Sequence, residues 1–183
     1  QKKINDNFDK AINHNRTLPD IDWASLKLKR TPTNEQKFNI KSMVSIPNGA
    51  NFSVPGAGKT MTTLATWQFL RTKEKIDKLL IISPKSAFEA WAEEEPKETF
   101  IEDIKTQIFI GGAIKPNTEI LITNYEKLEN NKYLNRILIW ASRQQTMLVL
   151  DEAHRVKGGG DSTRWQACKK VAEISARVDL LTG

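Results

Sequence analysis

The stretch S-V-P-G-A-G-K-T at residues 53–60 decides what kind of fold this chain can form. It follows a short strand-like run, Ala50–Phe52, and opens a helix-like run that begins near Lys59. A glycine-rich turn between a strand and a helix leaves backbone N–H groups free of side chains. Together with the helix N-terminus, those groups form a cradle for phosphate oxygens. We therefore interpret this turn as a phosphate-binding loop, which comprises Pro55, Gly56, Ala57 and Gly58.

Lys59 and Thr60 complete the chemistry of the loop. A lysine at this position can reach the β- and γ-phosphates of a nucleotide, and the hydroxyl of the next threonine can ligate magnesium. The strict form of the motif has glycine where this chain has Ser53. The remaining Gly-x-Gly-Lys-Thr is intact and lies between a strand and a helix. The sequence therefore predicts binding of a nucleoside triphosphate with Mg²⁺.

Bulk composition indicates a globular domain and excludes several kinds of site. The chain has 183 residues, of which 39% are hydrophobic and 27% charged, as expected for one domain with a packed core. No apolar run approaches the roughly 18 residues of a membrane span. Cys168 is the only cysteine, which excludes internal disulfides and fits a reducing compartment. The net charge of +6 favours a polyanionic partner, although a generically basic domain fits it equally well.

Apolar segments of strand length recur along the chain, with helix-like segments between them. They are Leu79–Ser83, Gln107–Ile110, Glu119–Thr123, Met147–Leu150 and Val178–Leu181. Strands that are apolar along their whole length and alternate with helices are typical of a parallel sheet covered on both faces. We therefore predict a three-layer α/β fold with a mainly parallel central sheet.

Ligands of such sheets bind beyond the carboxyl ends of the strands. A polar or glycine-containing turn follows each of five predicted strands. These turns are the phosphate-binding loop, Ser83–Pro84, Thr123–Asn124, Asp151–Glu152 and Thr182–Gly183. The pattern therefore places all five turns on one edge of the sheet.

Three helices have ends that can be predicted from capping and helix-breaking residues. Thr33 fits an N-cap, with Gln36 at the third helical position as in a capping box. A second helix is expected over Phe88–Glu94 and is ended by Pro96, and Asp161 is expected to cap a third.

Gln36 has a second interpretation besides the cap. Its side-chain amide, which both donates and accepts hydrogen bonds, could read the edge of adenine. Its place upstream of the phosphate-binding loop allows this role, although the chemistry alone favours the cap.

Asp151 and Glu152 follow an apolar strand and are the natural second half of a nucleotide site. An aspartate there can hold magnesium beside Thr60, and the neighbouring glutamate can orient and deprotonate an attacking water. An ordinary acidic turn would be favoured if Lys59 were absent. Since Lys59 is present, the paired acids predict hydrolysis.

His154 follows these acids closely. A lone histidine is usually structural or exposed, and no second histidine has the spacing of a metal site, because His14 belongs to the polar N-terminal segment. The position of His154 favours a relay near the γ-phosphate over a metal ligand.

These motifs occur in the order found in superfamily 2 helicases. After Gly-x-Gly-Lys-Thr come I-S-P at 82–84 with Trp91, I-T-N-Y-E-K-L at 122–128, D-E-A-H-R-V-K at 151–157 and L-T-G at 181–183. The chain resembles this superfamily, and most of all its Swi/Snf-type branch of double-stranded DNA translocases, over about residues 33–183. The Asp-Glu-Ala-His-Arg run followed by Val-Lys is the most specific element.

The resemblance implies a RecA-like P-loop NTPase fold and a partner of duplex DNA. ATP and magnesium would lie between two such lobes, of which this chain would be the first. Gln36 would read adenine, Lys59 and Thr60 would hold phosphate and magnesium, and Asp151 and Glu152 would form the second acidic motif. Thr182–Gly183 would begin the motif that couples hydrolysis to movement.

The resemblance also implies turns that contact a nucleic-acid strand. Backbone N–H groups and hydroxyls at such turns grip phosphates without reading bases. The residues in question are Ser83, Pro84, Lys85, Thr123, Asn124 and Tyr125.

One departure from the branch widens the choice of function. Val54–Pro55 stands where the branch has acidic residues, which leaves room for restriction-enzyme motor subunits and for phage or bacterial defence helicases. A nucleotide-gated switch and a degenerate scaffold lobe are alternatives from other classes. The intact Lys59, Thr60, Asp151 and Glu152 argue against a scaffold, and the strand-end turns argue for a motor over a switch.

The organisation along the chain is expected to be an accessory N-terminal segment over residues 1–30 and an ATP-binding lobe over residues 31–183. Both ends of the chain are abrupt, so we expect a fragment of a longer protein whose second lobe lies elsewhere. The expected location is the cytoplasm, in a bacterial or phage setting, or else the nucleus. No association with a membrane is expected.

Overall fold

The computed structural model describes residues 18–54, 56–156 and 162–183. In these residues, six strands form one sheet in the order β1-β6-β5-β2-β4-β3, and all neighbouring strands are parallel. The strands are β1 (Gly49–Asn51), β2 (Lys78–Ile82), β3 (Thr106–Ile108), β4 (Ile120–Thr123), β5 (Thr146–Leu150) and β6 (Arg177–Leu181). The prediction of a mainly parallel sheet is confirmed.

Helices connect the strands. They are α1 (Asn34–Val44), α2 (Lys59–Thr72), α3 (Glu95–Thr99), α4 (Tyr125–Leu128), α5 (Asn131–Ala141) and α6 (Thr163–Ile174). Short 3₁₀ turns occur at Ala24–Leu26, Lys85–Ala87 and Ala153–Val156, and one π-helical turn occurs at Ala90–Glu94. In the described ranges, no helix is both long and apolar enough to cross a bilayer.

Two separate hydrophobic cores lie on the two faces of the sheet. In β2, Leu79 and Ile81 point to the face covered by α2, whereas Leu80 and Ile82 point to the face covered by α5 and α6. Cys168, the only cysteine, is buried on the second face. Because both faces are covered, β2, β4 and β5 have consecutive apolar residues at Leu79–Ile82, Ile120–Ile122 and Met147–Leu150, and the predicted three-layer arrangement is confirmed.

The capping box at the start of α1 is confirmed. The Thr33 hydroxyl accepts from the Gln36 backbone N–H at 3.2 Å, and the Gln36 side-chain oxygen accepts from the Thr33 N–H at 3.0 Å. This exchange satisfies two of the N–H groups that lack partners at a helix start.

The predicted C-terminal end of the helix over Phe88–Glu94 is wrong. The helical run continues through Pro96 to Thr99. Pro96 directly follows the π-helical turn, where the Glu95 N–H donates five residues back to the Ala90 carbonyl, so the proline stands where the regular α-helical hydrogen-bond pattern is already interrupted. Asp161 lies outside the described residues, and the side chain of Ser162 caps α6 instead.

The N-terminal segment packs against the main body where it is described. Ile21 and Leu26 share a small buried cluster with Ile40 of α1 and with Met61 and Ala65 of α2. Residues 1–17, which include His14, lie outside the described residues. The predicted boundary near residue 30 stays a prediction.

Candidate nucleotide and nucleic-acid site

The predicted turns meet at the carboxyl edge of the sheet, where hydrogen bonds join them. The Thr182 N–H donates to the Asn51 carbonyl at 3.2 Å, and the Ser83 N–H donates to the Thr123 carbonyl at 3.0 Å. The Asp151 N–H donates to the last carbonyl of β2 at 2.8 Å. The strand order places β6 between β1 and β5, so the ends of these three strands form one continuous surface.

The phosphate-binding loop adopts a backbone that favours glycine. Gly56 and Gly58 have φ of +82° and +75°, a region that other L-residues enter at a cost. Apart from Gly56 and its two neighbours in the chain, no described atom lies within 4 Å of a Cβ built on Gly56, so the space beside this turn is open. Gly58 is the N-cap of α2. Pro55 lies outside the described residues.

Lys59 folds back over the loop. Its ammonium donates to the carbonyl of Ser53 at 2.7 Å and contacts that of Val54 at 3.3 Å. Its positive charge acts to lower the pKa of the Asp151 carboxyl. Thr60 lies half-buried in the first turn of α2.

Asp151 is held by groups from three parts of the chain. One carboxylate oxygen, Oδ2, accepts from the Trp91 indole N–H at 2.9 Å, and Oδ1 accepts from the Glu152 backbone N–H at 3.1 Å. The Tyr125 hydroxyl donates to the Asp151 carbonyl at 2.6 Å. Burial raises the pKa of Asp151, and the charge of Glu152 adds to this increase, while the Trp91 N–H and the Lys59 ammonium oppose it.

Sequence reasoning did not assign a role to Trp91. Trp91 was named only among the motifs that carry the family resemblance. Its position shortly after the Ser83–Pro84 turn at the end of a strand could have indicated a place near the site. The partner of its indole is Asp151, which is 60 residues away along the chain. The structure therefore adds Trp91 to the residues of this site.

Glu152 and His154 lie together just beyond β5. Glu152 has a φ of +52°, and its carboxylate lies 3.2 Å from His154 Nδ1. The same nitrogen lies 3.3 Å from the Thr182 hydroxyl. His154 therefore bridges the turn after β5 and the turn after β6. In the described part of the chain, no cluster of three acidic, histidine or cysteine side chains is arranged to hold a metal ion.

Gln36 lies against the phosphate-binding loop while it caps α1. A Cβ built on Gly58 would lie 2.4 Å from the Gln36 side-chain nitrogen. The amide oxygen is used in the capping box. The cap is thus confirmed, and the adenine contact stays a prediction that the position at the loop allows.

The predicted strand-contacting residues are mostly buried. Four of the six side chains are at most 1% exposed, namely those of Ser83, Thr123, Asn124 and Tyr125. Pro84 is half-buried, and Lys85 is exposed. Burial also raises the pKa of Tyr125. Apart from Lys85, these turns therefore offer mainly backbone groups to a ligand.

The residues at this edge fit a nucleotide with its magnesium ion. The space beside Gly56 is open, and the Lys59 ammonium has only loop carbonyls as partners among the hydrogen bonds described. Each oxygen of the Asp151 carboxylate accepts one hydrogen bond, which leaves lone pairs for a cation or its waters. Lys59, Thr60 and Asp151 would hold the group.

The family of the chain follows from its sequence match. The family model described as "Type III restriction enzyme, res subunit" matches residues 34–180. The chain belongs to this family. It is therefore a helicase-like ATPase domain of superfamily 2.

Individual relatives agree with this assignment. The mouse (Mus musculus) DNA excision repair protein ERCC-6-like is 27% identical over an alignment of 143 residues, which covers 70% of this chain and 11% of the relative. The SWI2/SNF2 ATPase core of Sulfolobus solfataricus, solved in complex with double-stranded DNA, superposes with a TM-score of 0.69. Its sequence is 23% identical, and the match covers 86% of this chain and 33% of the core.

A phage helicase has a similar fold. The UvsW helicase of bacteriophage T4 superposes with a TM-score of 0.58 at 15% identity, over 83% of this chain and 52% of the helicase. These structural matches show a RecA-like helicase lobe, as predicted. The chain spans about a third of the Sulfolobus core and a smaller part of the mouse relative.

Proposed function

We propose that this chain is an ATP-binding lobe of a DNA-dependent ATPase that couples ATP hydrolysis to movement along double-stranded DNA. The observation that supports the proposal most is the meeting of three turns on neighbouring strands. The phosphate-binding loop follows β1, Thr182 follows β6, and Asp151 follows β5. A nucleotide held by the loop lysine would therefore lie beside both the acidic pair and the turn after β6.

The loop and α2 would bind the triphosphate. Backbone N–H groups at Gly56, Ala57 and Gly58 would face phosphate oxygens, and Lys59 would leave the loop carbonyls to contact the β- and γ-phosphates. Gln36 would contact the adenine edge. When bound through Thr60 and Asp151, magnesium would neutralise charge on the phosphate oxygens.

Glu152 is proposed to orient the attacking water and to accept its proton. His154 connects Glu152 to Thr182 through one ring nitrogen. A change at the γ-phosphate could therefore pass from the acidic turn to the turn after β6, where the coupling motif is expected.

Three observations support DNA as the partner. The chain carries a net charge of +6, Lys85 is exposed at the edge, and the Sulfolobus relative was solved with duplex DNA. The family match also favours a second candidate, which is the motor subunit of a restriction-type enzyme.

We further propose that a second RecA-like lobe supplies the other half of the ATP site. The 183 residues alone should then bind nucleotide weakly and hydrolyse it poorly. Strong DNA-stimulated hydrolysis by these residues alone, lost on Lys59→Ala substitution, would contradict this part of the proposal.

The proposed function is tested by the ATPase rate of the full-length protein with duplex DNA, single-stranded DNA, RNA or no nucleic acid. Duplex DNA should stimulate hydrolysis most, Lys59→Ala should abolish it, and DNA affinity should fall steeply with salt. Greater stimulation by RNA would move the protein to another branch. Lysine-dependent hydrolysis that no nucleic acid stimulates would support a nucleotide switch instead.

A further inference from the structure

We propose that Trp91 and Tyr125 are positioning residues for Asp151, and that they make its geometry depend on the turns after β2 and β4. This inference rests on the proposed function, because it takes Asp151 to be the magnesium ligand. It adds a physical connection between the predicted nucleic-acid contacts and the metal site.

Trp91 holds the carboxylate of Asp151. Its side chain is 2% exposed and packs in the core on the α2 face, so the indole has little freedom to move independently of its backbone. Its N–H donates to Asp151 Oδ2 at 2.9 Å. A hydrogen bond from the surrounding protein to a metal ligand fixes the direction of that ligand.

The backbone around Trp91 is unusual. Trp91 lies in the π-helical turn Ala90–Glu94, and such turns occur frequently at functional sites. The same helical run begins with the 3₁₀ turn Lys85–Ala87, directly after Ser83 and Pro84. A shift of the turn after β2 therefore reaches Trp91 through a short stretch of helix.

Tyr125 holds the backbone of Asp151. Its hydroxyl donates to the Asp151 carbonyl at 2.6 Å, and its side chain is 1% exposed. Tyr125 is the first residue of α4, directly after the Thr123–Asn124 turn. The turn after β4 thus contacts Asp151 from a second direction.

The two turns are themselves joined. The Ser83 N–H donates to the Thr123 carbonyl at 3.0 Å. Because the turns are joined, a nucleic-acid strand that displaces either of them would move both contacts to Asp151. The carboxylate would be displaced through Trp91 and the backbone carbonyl through Tyr125.

Trp67 provides a matched control for Trp91. It is fully buried in the same core, but its indole N–H finds no partner among the described residues. Replacing either tryptophan by phenylalanine keeps an aromatic ring in that core, and only Trp91→Phe removes a hydrogen bond to Asp151. Tyr133, the only other tyrosine, is half-buried against the core that contains Tyr125, and Tyr133→Phe is the control for removing a tyrosine hydroxyl elsewhere in that core.

The first experiment measures binding rather than turnover. The affinity of the full-length protein for a fluorescent ATP analogue is titrated with Mg²⁺. Trp91→Phe should lower the apparent Mg²⁺ affinity by about 10-fold or more, the usual effect of losing a hydrogen bond to a metal ligand. Tyr125→Phe should lower it in the same direction, and Trp67→Phe and Tyr133→Phe should leave it unchanged.

The outcomes separate the two proposals. If the unchanged protein shows no Mg²⁺-dependent nucleotide binding, the proposed function fails. If it does, and both Trp91→Phe and Tyr125→Phe match their controls, the positioning role fails while the proposed function stands.

The second experiment tests the connection to nucleic acid. The full-length protein is labelled with 5-fluorotryptophan, and the ¹⁹F signal of Trp91 is identified by its loss in Trp91→Phe. Duplex DNA added without nucleotide should shift this signal and leave that of Trp67 in place. Bound DNA that leaves the Trp91 signal unmoved would overturn the connection.

Discussion

Arg177 and Asp179 form a buried ion pair, with Nε 2.9 Å from Oδ1 and side chains that are 4% and 0% exposed. The two terminal nitrogens of Arg177 donate to the carbonyls of Ile46 at 2.7 Å and Met43 at 2.8 Å. Asp179 accepts from the Gly49 N–H at 2.8 Å. The pair therefore joins the end of α1 to the start of β1, the strand that leads into the phosphate-binding loop.

Removing Arg177 should destabilise the fold strongly. Arg177→Met leaves the carboxylate of Asp179 buried without its partner, which typically costs about 3–5 kcal/mol in the free energy of unfolding. Urea denaturation measures the loss. Adding Asp179→Asn removes the buried charge and keeps an acceptor for the Gly49 N–H. The double variant should therefore recover much of the unfolding free energy that Arg177→Met loses. Equal losses in the single and double variants would contradict this account of the pair.

Gly58 and Gly56 should respond differently to alanine. Both have positive φ, so each substitution should cost about 1–2 kcal/mol in backbone strain. Gly58→Ala should cost more, because its Cβ would lie 2.4 Å from the Gln36 side-chain nitrogen, whereas no described atom crowds Gly56. Unfolding free energies of both variants test this difference, and Gln36→Ala should reduce the extra cost at Gly58. Identical costs at the two glycines would show that Gln36 does not crowd the loop.

Glu152→Gln should separate binding from hydrolysis. The amide cannot accept the proton of the attacking water, so the ATPase rate should fall about 10²- to 10⁴-fold, while nucleotide affinity stays the same. Glu98→Gln, at an exposed position of α3, is the control and should hydrolyse ATP normally. A Glu152→Gln variant with unchanged turnover would exclude Glu152 as the base.

Cys168 should make stability depend on pH in the alkaline range. Burial raises its pKa from 9.0 to about 11, so between these values the unfolded chain has lost a proton that the folded chain keeps. The contribution of the thiol to stability therefore falls as pH rises, by about 1.4 kcal/mol at pH 10. Urea denaturation at pH 8 and pH 10 should show this fall relative to Cys168→Ala. A pH-independent difference between the two proteins would contradict it.

The sheet and the phosphate-binding loop could be predicted because their signals are local. A strand buried on both faces favours consecutive apolar residues, and β2, β4 and β5 have them at Leu79–Ile82, Ile120–Ile122 and Met147–Leu150. Gly56 and Gly58 stand where the turn needs positive φ. Thr33 and Gln36 form the predicted capping box because all its atoms lie within one turn of chain.

The features that could not be predicted from the sequence depend mainly on contacts between residues that are distant along the chain. Buried Asp179 has Gly49 and Arg177 as partners of its Oδ1, and Gly49 lies 130 residues away along the chain. The partnership of Trp91 and Asp151 requires that β2 and β5 be neighbours, which no local pattern reveals. The predicted end of the helix at Pro96 was wrong because a π-helical turn precedes it.

The central claim is that ATP hydrolysis at this site drives movement along duplex DNA. Its most direct test is ATP-dependent displacement of a triplex-forming oligonucleotide from duplex DNA by the full-length protein. We predict displacement with ATP, none with a non-hydrolysable analogue, and none in the Lys59→Ala variant. DNA-bound protein that hydrolyses ATP but never displaces the oligonucleotide would contradict the claim, as would displacement by Lys59→Ala.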